Sequence, residues 1–279
     1  MTEYEGWRLP DALVERARLW RAGEGGPAPV PRVSATVVLL RPAEGGGFEA
    51  YVLRRAASMA FASGMYAFPG GGVDPVDGDP DLRWVGPSAG DWMHRLDRPP
   101  GEAQAVVCAA AREVFEEAGV LLAGSGTGAL VADVTGDDWE SDRQRLVRHE
   151  LPFAEMLTRR GLVLRGDLLG AWARWVTPEF ETRRFDTYFF VAALPEGQRT
   201  RDVSGEADHT MWVRPGEAVA RYEAGKIAML PPTVVMLGEL AVYQDVAGVL
   251  AAAAARDAAT PVTPRAEVAP DGTVRLHVP

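Results

Sequence analysis

The sequence predicts an α/β fold in which strands and helices are mixed, not strictly alternating. Three observations carry this. Val33 to Leu40 is an almost unbroken valine and leucine run of strand length. Phe48 to Arg55 has the same character and follows a Glu44 to Gly47 turn, which predicts a hairpin. Glu102 to Ala118 carries its apolar residues at helical spacing and stops at Gly119, a natural helix C-cap.

The other elements follow in chain order. Leu13 to Trp20 reads as a short helix, and Ala22 to Pro31 as a Gly/Pro-rich linker. Met65 to Phe68 reads as a short extended piece entering Pro69-Gly70-Gly71-Gly72. Pro75 to Pro100 is dense in Pro, Gly and Asp and reads as a long loop with one short helix around Trp92; such a loop in a compact domain usually has a function. Arg143 to Arg160 is predicted helical, Leu164 to Val176 and Phe185 to Ala193 as strands, and Met211 to Arg214 as a short strand. Pro215 to Ala224 and Pro232 to Ala255 read as helices opened by proline. Glu267 to Val278 reads as a closing hairpin with a turn at Asp271-Gly272. The expected organisation is an N-terminal extension over 1–30, a main domain over 31–256 with an insertion about 74–101 and C-terminal helices about 215–256, and a tail over 257–279.

Composition narrows the function. The chain has 279 residues, 47% of them apolar and 24% charged, enough to bury a sizeable core. A net charge of -10 argues against broad contact with nucleic acid or an anionic membrane, but not against an anionic small substrate, because bound cations can invert the local field. One cysteine, Cys108, excludes an internal disulfide and fits a cytoplasmic setting. The N-terminal Met1-Thr2-Glu3-Tyr4-Glu5 does not read as a signal peptide, nor the C-terminus as a peroxisomal address. Val234 to Ala255 is apolar but holds Glu239 and Asp245, so it reads as a packed helix and not as a membrane span.

The chemistry is concentrated on one helix. With about 100° per residue, Glu113, Glu116 and Glu117 fall within an arc of roughly 100°. Val107, Ala110, Ala111, Val114 and Ala118 occupy the adjacent arc, so one face packs and the next presents three carboxylates to solvent. Like charges so placed repel. A divalent cation resolves the conflict, and magnesium favours such oxygen ligands together with substrate phosphates. A merely solvated acidic face is the alternative for a bare Glu-x-x-Glu-Glu. The string Arg112 to Val120, Arg-Glu-Val-Phe-Glu-Glu-Ala-Gly-Val, is far more specific.

That string resembles the second half of the Nudix hydrolase signature, G-x5-E-x7-R-E-U-x-E-E-x-G-U with U bulky aliphatic, and Phe68 to Gly72 resembles the segment that precedes it. The resemblance implies a Nudix-type α/β/α sandwich with a mixed sheet and metal-dependent cleavage of a diphosphate. Glu113, Glu116 and Glu117 would bind metal and act in catalysis, Arg112 would orient them, and the backbone of Gly71 or Gly72 would approach the metal, Mg2+ or Mn2+. Gly72 lies 40 positions before Arg112, implying an insertion of about 26 residues, and Gln104 stands eight positions before Arg112, where the signature has its first glutamate. Glu102 or Glu206 is a candidate to replace that acid. A box split in this way, with Trp175-Val176-Thr177-Pro178, Arg184 to Phe190 and Pro231-Pro232-Thr233, is similar to the branch containing the peroxisomal coenzyme A diphosphatases. Coenzyme A or acyl-coenzyme A is the leading substrate that this implies. NADH, ADP-ribose and nucleoside triphosphates follow, and a non-catalytic binding protein or an isomerase on the same fold are the other classes weighed. A homodimer is compatible with the resemblance.

Further residues complete the candidate site. Glu206 would be a fourth ligand or general base. Arg54 and Arg55, ending the second strand, would reach the diphosphate, since guanidinium matches phosphate oxygens. Arg183, Arg184 and Asp186 read as a structural ion cluster. Cys108 reads as a buried thiol, and no histidine has zinc-type spacing. Trp172, Trp175, Phe189 and Phe190 read as core or pocket wall. Gly70 to Gly72 lacks what a P-loop or dinucleotide fingerprint would need.

Overall fold

The computed structural model describes residues 11–57, 62–201, 205, 207–268 and 274–278. In chain order they form α1 (Asp11–Arg21), β1 (Arg32–Pro42), β2 (Phe48–Arg55), β3 (Tyr66–Ala67), β4 (Gly70–Gly72), β5 (Trp84–Val85), α2 (Ala89–Leu96) and α3 (Pro100–Ala118). Then come β6 (Ala123–Gly124), α4 (Asp137–Val147), α5 (Phe153–Arg159), β7 (Val163–Arg165), β8 (Gly170–Val176), β9 (Phe185–Ala193) and β10 (Ala207–Val213). The chain continues through α6 (Pro215–Glu223), α7 (Pro231–Leu240), α8 (Val246–Ala253), β11 (Pro261–Val262), β12 (Arg265–Val268) and β13 (Val274–His277).

The main sheet runs β10-β2-β1-β9-β8-β11, with β3 on β2 and β4 on β1. It is mixed: β1 pairs parallel with β9 and antiparallel with β2, and β8 is antiparallel to β9 and parallel to β11. The unbroken apolar run in β1 has a direct cause. Successive strand residues face opposite sides. Ala35, Val37 and Leu39 pack into one core with α2, α3 and α5, whereas Val38 and Leu40 pack into a second core with α7 and α8. Covered on both faces, the strand needs no polar alternation, and the layering is the expected α/β/α sandwich.

Several elements differ from the sequence expectation. The stretch Arg143 to Arg160 is two helices, because His149 takes φ +53 and Pro152 disfavours helix at the residue before it. Pro232 to Ala255 is likewise two: Asp245 N-caps α8, its side chain accepting from the Gly248 amide at 2.7 Å. Leu164 to Val176 is broken by a 3₁₀ turn at Gly166–Leu168. The strand at Met211 starts earlier, at Ala207, because backbone pairing with β2 tolerates exposed Asp208 and His209. The closing hairpin is present as β12 and β13, its predicted turn lying outside the described residues.

In the Pro75 to Pro100 segment the short helix expected around Trp92 is α2, but the rest is not one long loop: a 3₁₀ turn at Pro75–Gly78 and β5 give it further regular structure. Helix α2 opens on a capping box, with Ser88 and Asp91 each receiving the other's amide hydrogen bond. Trp92 and Leu96 are fully buried, and Trp92 packs edge-on against Phe190 at 5.9 Å. Arg98 donates to the Tyr188 hydroxyl at 2.9 Å and pairs with Asp186, which also holds Arg174 at 2.8 Å. The segment is therefore part of the core. Arg184 donates to backbone carbonyls of Thr177 and Pro29, so it too acts structurally.

Candidate active site

The site is made where α3 lies against β4. That ribbon pairs with β1, Gly70 opposite Thr36 and Gly72 opposite Ser34. A Cβ on Gly71 would stand 2.4 Å from Glu113 Oε1, and one on Gly70 would stand 2.6 Å from the Ala35 carbonyl oxygen. Only glycine lets helix and ribbon approach so closely. Gly119 ends α3 at φ +66, its amide donating to the Phe115 carbonyl at 3.0 Å.

The carboxylate face is not solvated, contrary to expectation. Glu113 and Glu116 are 8% exposed and Glu117 7%. Glu117 accepts from the Gly70 amide at 2.8 Å. Arg112 donates through Nη1 to Glu113 at 2.8 Å and Glu116 at 3.2 Å, and through Nη2 to the Gly72 carbonyl at 2.8 Å. One guanidinium thus ties two of the glutamates to the glycine ribbon.

The acid that holds Arg112 is neither Glu102 nor Gln104. Asp77 accepts from Arg112 Nε and Nη2, both at 2.9 Å, and is 1% exposed. Glu102 pairs with Arg98 instead, and Gln104 donates to the Asp79 carbonyl. Counted from Gly71 instead of Gly72, the acid of G-x5-E falls on Asp77. The extra residues therefore follow that acid, and the 3₁₀ turn returns it to α3. Glu206, the other candidate, lies outside the described residues, although its neighbour Gly205 lines the cleft.

Electrostatics follow from burial. Glu113 is pushed up to about 8, by burial first and by the charge of Glu116, against the pull of Arg112. Burial also raises Glu116. For Arg112, burial alone would lower the pKa, but Asp77, Glu113 and Glu116 outweigh it and the net shift is upward. Burial raises the Cys108 thiol well above its usual value, and its Sγ lies 3.7 Å from Asp77, which leaves it inert as a nucleophile. An isomerase relying on Cys108 has no support here.

Above these residues lies a cleft of about 470 Å³, lined also by Ser34, Thr36, Arg55, Asp74, His149, Phe185 and Thr187. Arg55 faces it. Arg54, one residue earlier on β2, faces away and pairs with Asp208 at 2.6 Å, so the strand's alternation separates the two candidates. His149 was not foreseen. Its left-handed backbone at the α4–α5 break sets Nδ1 3.2 Å from Asp74 at the cleft rim. A smaller apolar pocket of about 210 Å³ adjoins the cleft, sharing Thr36, Arg55, Gly70, Phe185 and Thr187. Trp175 and Phe189 wall it, while Trp172 and Phe190 are core.

Among the described residues, no three acidic, imidazole or thiol groups converge as a ready metal cage. Glu113 and Glu116 turn to Arg112, and Glu117 to Gly70. The donor chemistry nevertheless fits a hard divalent cation. Three buried carboxylates and glycine carbonyls supply oxygen only, and three acids, Asp77, Glu113 and Glu116, pair with one arginine. A cation would offset the burial, and the charge of Glu116, that together raise Glu113.

A sandwich whose helix carries this carboxylate string against a glycine ribbon is a Nudix domain. The sequence model of the NUDT19 Nudix domain matches residues 89–240, more than half of the chain, and the chain belongs to that family. It is 28% identical over 229 residues to the acyl-coenzyme A diphosphatase NUDT19 of Xenopus laevis, and 28% identical over 228 residues to the protein of that name in Homo sapiens. Each alignment takes in 69% of this chain and 60% of the relative, so the chain spans about 60% of the length of these curated relatives. A solved Nudix hydrolase from Alicyclobacillus acidocaldarius superimposes with TM-score 0.70 at 27% identity, covering 80% of this chain and 96% of that one. Nudix hydrolases generally use divalent metals. Among the described residues, no helix is long and apolar enough to cross a membrane.

Proposed function

We propose that the chain hydrolyses the diphosphate of coenzyme A or an acyl-coenzyme A, with Mg2+ or Mn2+ held by Glu113, Glu116, Glu117 and the Gly71 or Gly72 carbonyl. The supporting observation is the continuity of a buried carboxylate cleft with an apolar pocket. A diphosphate needs the first, and a thioester-bearing arm uses the second. The relatives' printed activity, on acyl-coenzyme A, points the same way.

The chain's own groups have distinct tasks. Asp77 fixes Arg112, and Arg112 fixes Glu113 and Glu116 so that they need not reorganise during reaction. The Gly70 amide orients Glu117. Arg55, at the mouth shared by both cavities, neutralises phosphate charge. A bound cation, held by these residues, would supply charge neutralisation at the diphosphate. In the hydrolysis the oxygen of a water molecule bonds to one phosphorus. The bridging oxygen leaves with the other, yielding a phosphopantetheine and an adenosine bisphosphate, and Glu206 is the candidate to take the proton.

A product screen by mass spectrometry tests this across coenzyme A, acyl-coenzyme A, NADH, ADP-ribose and nucleoside triphosphates with each metal. The expected result is metal-dependent phosphopantetheine from the first two. Turnover confined to the others would replace the substrate, and no turnover by folded, metal-binding protein would favour a non-catalytic binding role.

A further inference from the structure

The last carbonyls of a helix have no amide four residues on to receive, and buried ones need another donor. The end of α3 has this problem next to the carboxylates. Because the helix stops at Gly119, the Val120 amide turns back to the Val114 carbonyl at 3.4 Å. Glu116, four residues before Val120, thereby loses its helical donor. The Leu121 amide goes to the Gln198 side chain at 2.8 Å, and the Ala118 carbonyl accepts from the Arg201 amide at 2.9 Å. For Glu116 the donor comes from another helix. Arg143 of α4, 1% exposed, donates through Nη1 to the Glu116 carbonyl at 2.7 Å.

The rest of α4 fixes that guanidinium in place. Its Nε and Nη2 donate to Glu140 at 2.9 Å and 2.5 Å, and Glu140 also accepts from Gln144 at 2.9 Å and Arg201 at 3.3 Å. Trp139 packs edge-on against Phe115, the residue before Glu116, at 6.3 Å, and Arg160 lies over the Trp139 ring at 3.6 Å. A cation at the C-terminal end of a helix is also favoured by the helix dipole. Glu116 is thus held twice: Arg112 takes its carboxylate at 3.2 Å, and Arg143 takes its main chain.

Resting on the function proposed above, we infer that Arg143 is a positioning residue for the diphosphate hydrolysis. By supplying the donor that the end of α3 lacks, it holds the turn carrying Glu116 and Glu117 in the arrangement that receives a divalent cation. It does not line the cleft, so it acts only through α3.

The test is Arg143→Met in the full chain, with Arg143→Lys and Arg160→Met beside it. In Arg143→Met the acid left behind, Glu140, keeps Gln144 and Arg201 as partners. Arg160→Met removes ion pairs to Asp138 and Asp142 and the contact with Trp139, loosening α4 without removing its bond to Glu116. The readouts are Mn2+ affinity by calorimetry, hydrogen exchange of the Gly119 and Val120 amides in metal-free protein, and kcat and KM for an acyl-coenzyme A. Arg143→Met should weaken Mn2+ binding about tenfold, within the range expected for one unsatisfied buried acceptor. It should also speed exchange at both amides and lower kcat about tenfold with KM within a few fold. Arg143→Lys should recover part of each loss, and Arg160→Met should leave affinity, exchange and kcat near wild type whatever its drop in Tm. Wild-type Mn2+ affinity in folded Arg143→Met overturns the inference. Equal losses in Arg160→Met also overturn it, by marking the role of Arg143 as stability alone. If the methionine variant does not fold, the lysine variant carries the test, and wild-type values in it overturn the inference. In each of these cases, cleavage of acyl-coenzyme A by the wild type leaves the proposed function standing. A wild type that neither binds the cation nor cleaves any diphosphate overturns that function and this inference with it.

Discussion

Asp77→Asn isolates the contact on which the site's geometry rests. Asp77 is 1% exposed and accepts two hydrogen bonds from Arg112, both at 2.9 Å. Removing one member of a buried ion pair costs about 3–5 kcal/mol. Arg112 keeps Glu113, Glu116 and the Gly72 carbonyl as partners, so the loss should fall at the lower end, about 3 kcal/mol. At roughly 2–4 °C per kcal/mol for a domain of this size, Tm should drop by about 6–12 °C. Catalysis should fall further than stability implies, because a guanidinium freed on one side no longer holds Glu113 and Glu116. A loss of kcat on the order of a hundredfold, with KM within a few fold, marks a positioning role. The assays are urea denaturation and steady-state diphosphate hydrolysis below the melting transition. The control is Gln104→Glu, which restores the signature residue at its usual spacing from Arg112 and should change neither quantity. An Asp77→Asn protein with wild-type kcat, or a Gln104→Glu protein with greatly raised kcat, would refute the assignment of Asp77.

Three other substitutions probe the same structure. Glu117→Gln should lower kcat by orders of magnitude while Tm moves by only a few degrees, because an amide oxygen still accepts from Gly70 but the charge is gone; full activity would remove Glu117 from the site. Gly71→Ala places a methyl 2.4 Å from a carboxylate oxygen that Arg112 pins, so kcat should fall at least tenfold and cation affinity, measured by calorimetry, should weaken. Glu140, held down to about 2 by its hydrogen bonds from Arg143, which in turn donates to the Glu116 carbonyl, should stabilise the fold at neutral pH. A depressed carboxylate contributes fully above its unfolded value and loses that contribution as pH falls towards its folded one, so the stability gap between wild type and Glu140→Gln should shrink from about pH 5 down towards pH 2.

Local patterns were legible in the sequence. The β1–β2 hairpin, α3 and its Gly119 cap follow from periodicity and one glycine, and Arg112 to Val120 marks α3 as the candidate catalytic helix. What the sequence hid depends on long-range contact. The helix breaks at His149 and Asp245 come from single residues inside otherwise helical composition, the first signalled by Pro152 and the second by the Asp245 cap. The short helix around Trp92 was legible, but the burial of Trp92 and Leu96 was not, because Trp92's ring partner, Phe190, lies on a distant strand. Burial of the three glutamates was invisible for a similar reason: a helical wheel shows which residues share a face, not that a glycine ribbon covers it. Asp77 was within reach, since Gly71 and the G-x5-E spacing point to it. Gln104 drew attention because α3 continues the signature's own numbering back from Arg112. The apolar pocket could not be read at all, because residues 13 and 276 meet only in the folded chain.

The most direct test of the central claim is hydrolysis of an acyl-coenzyme A in heavy-oxygen water with Mg2+ or Mn2+, comparing wild type with Glu117→Gln. The account predicts metal-dependent label in a single phosphate product, either the phosphopantetheine or the adenosine bisphosphate, and its near-complete loss in the variant. Label in neither phosphate product, or equal labelling with and without metal, would contradict it.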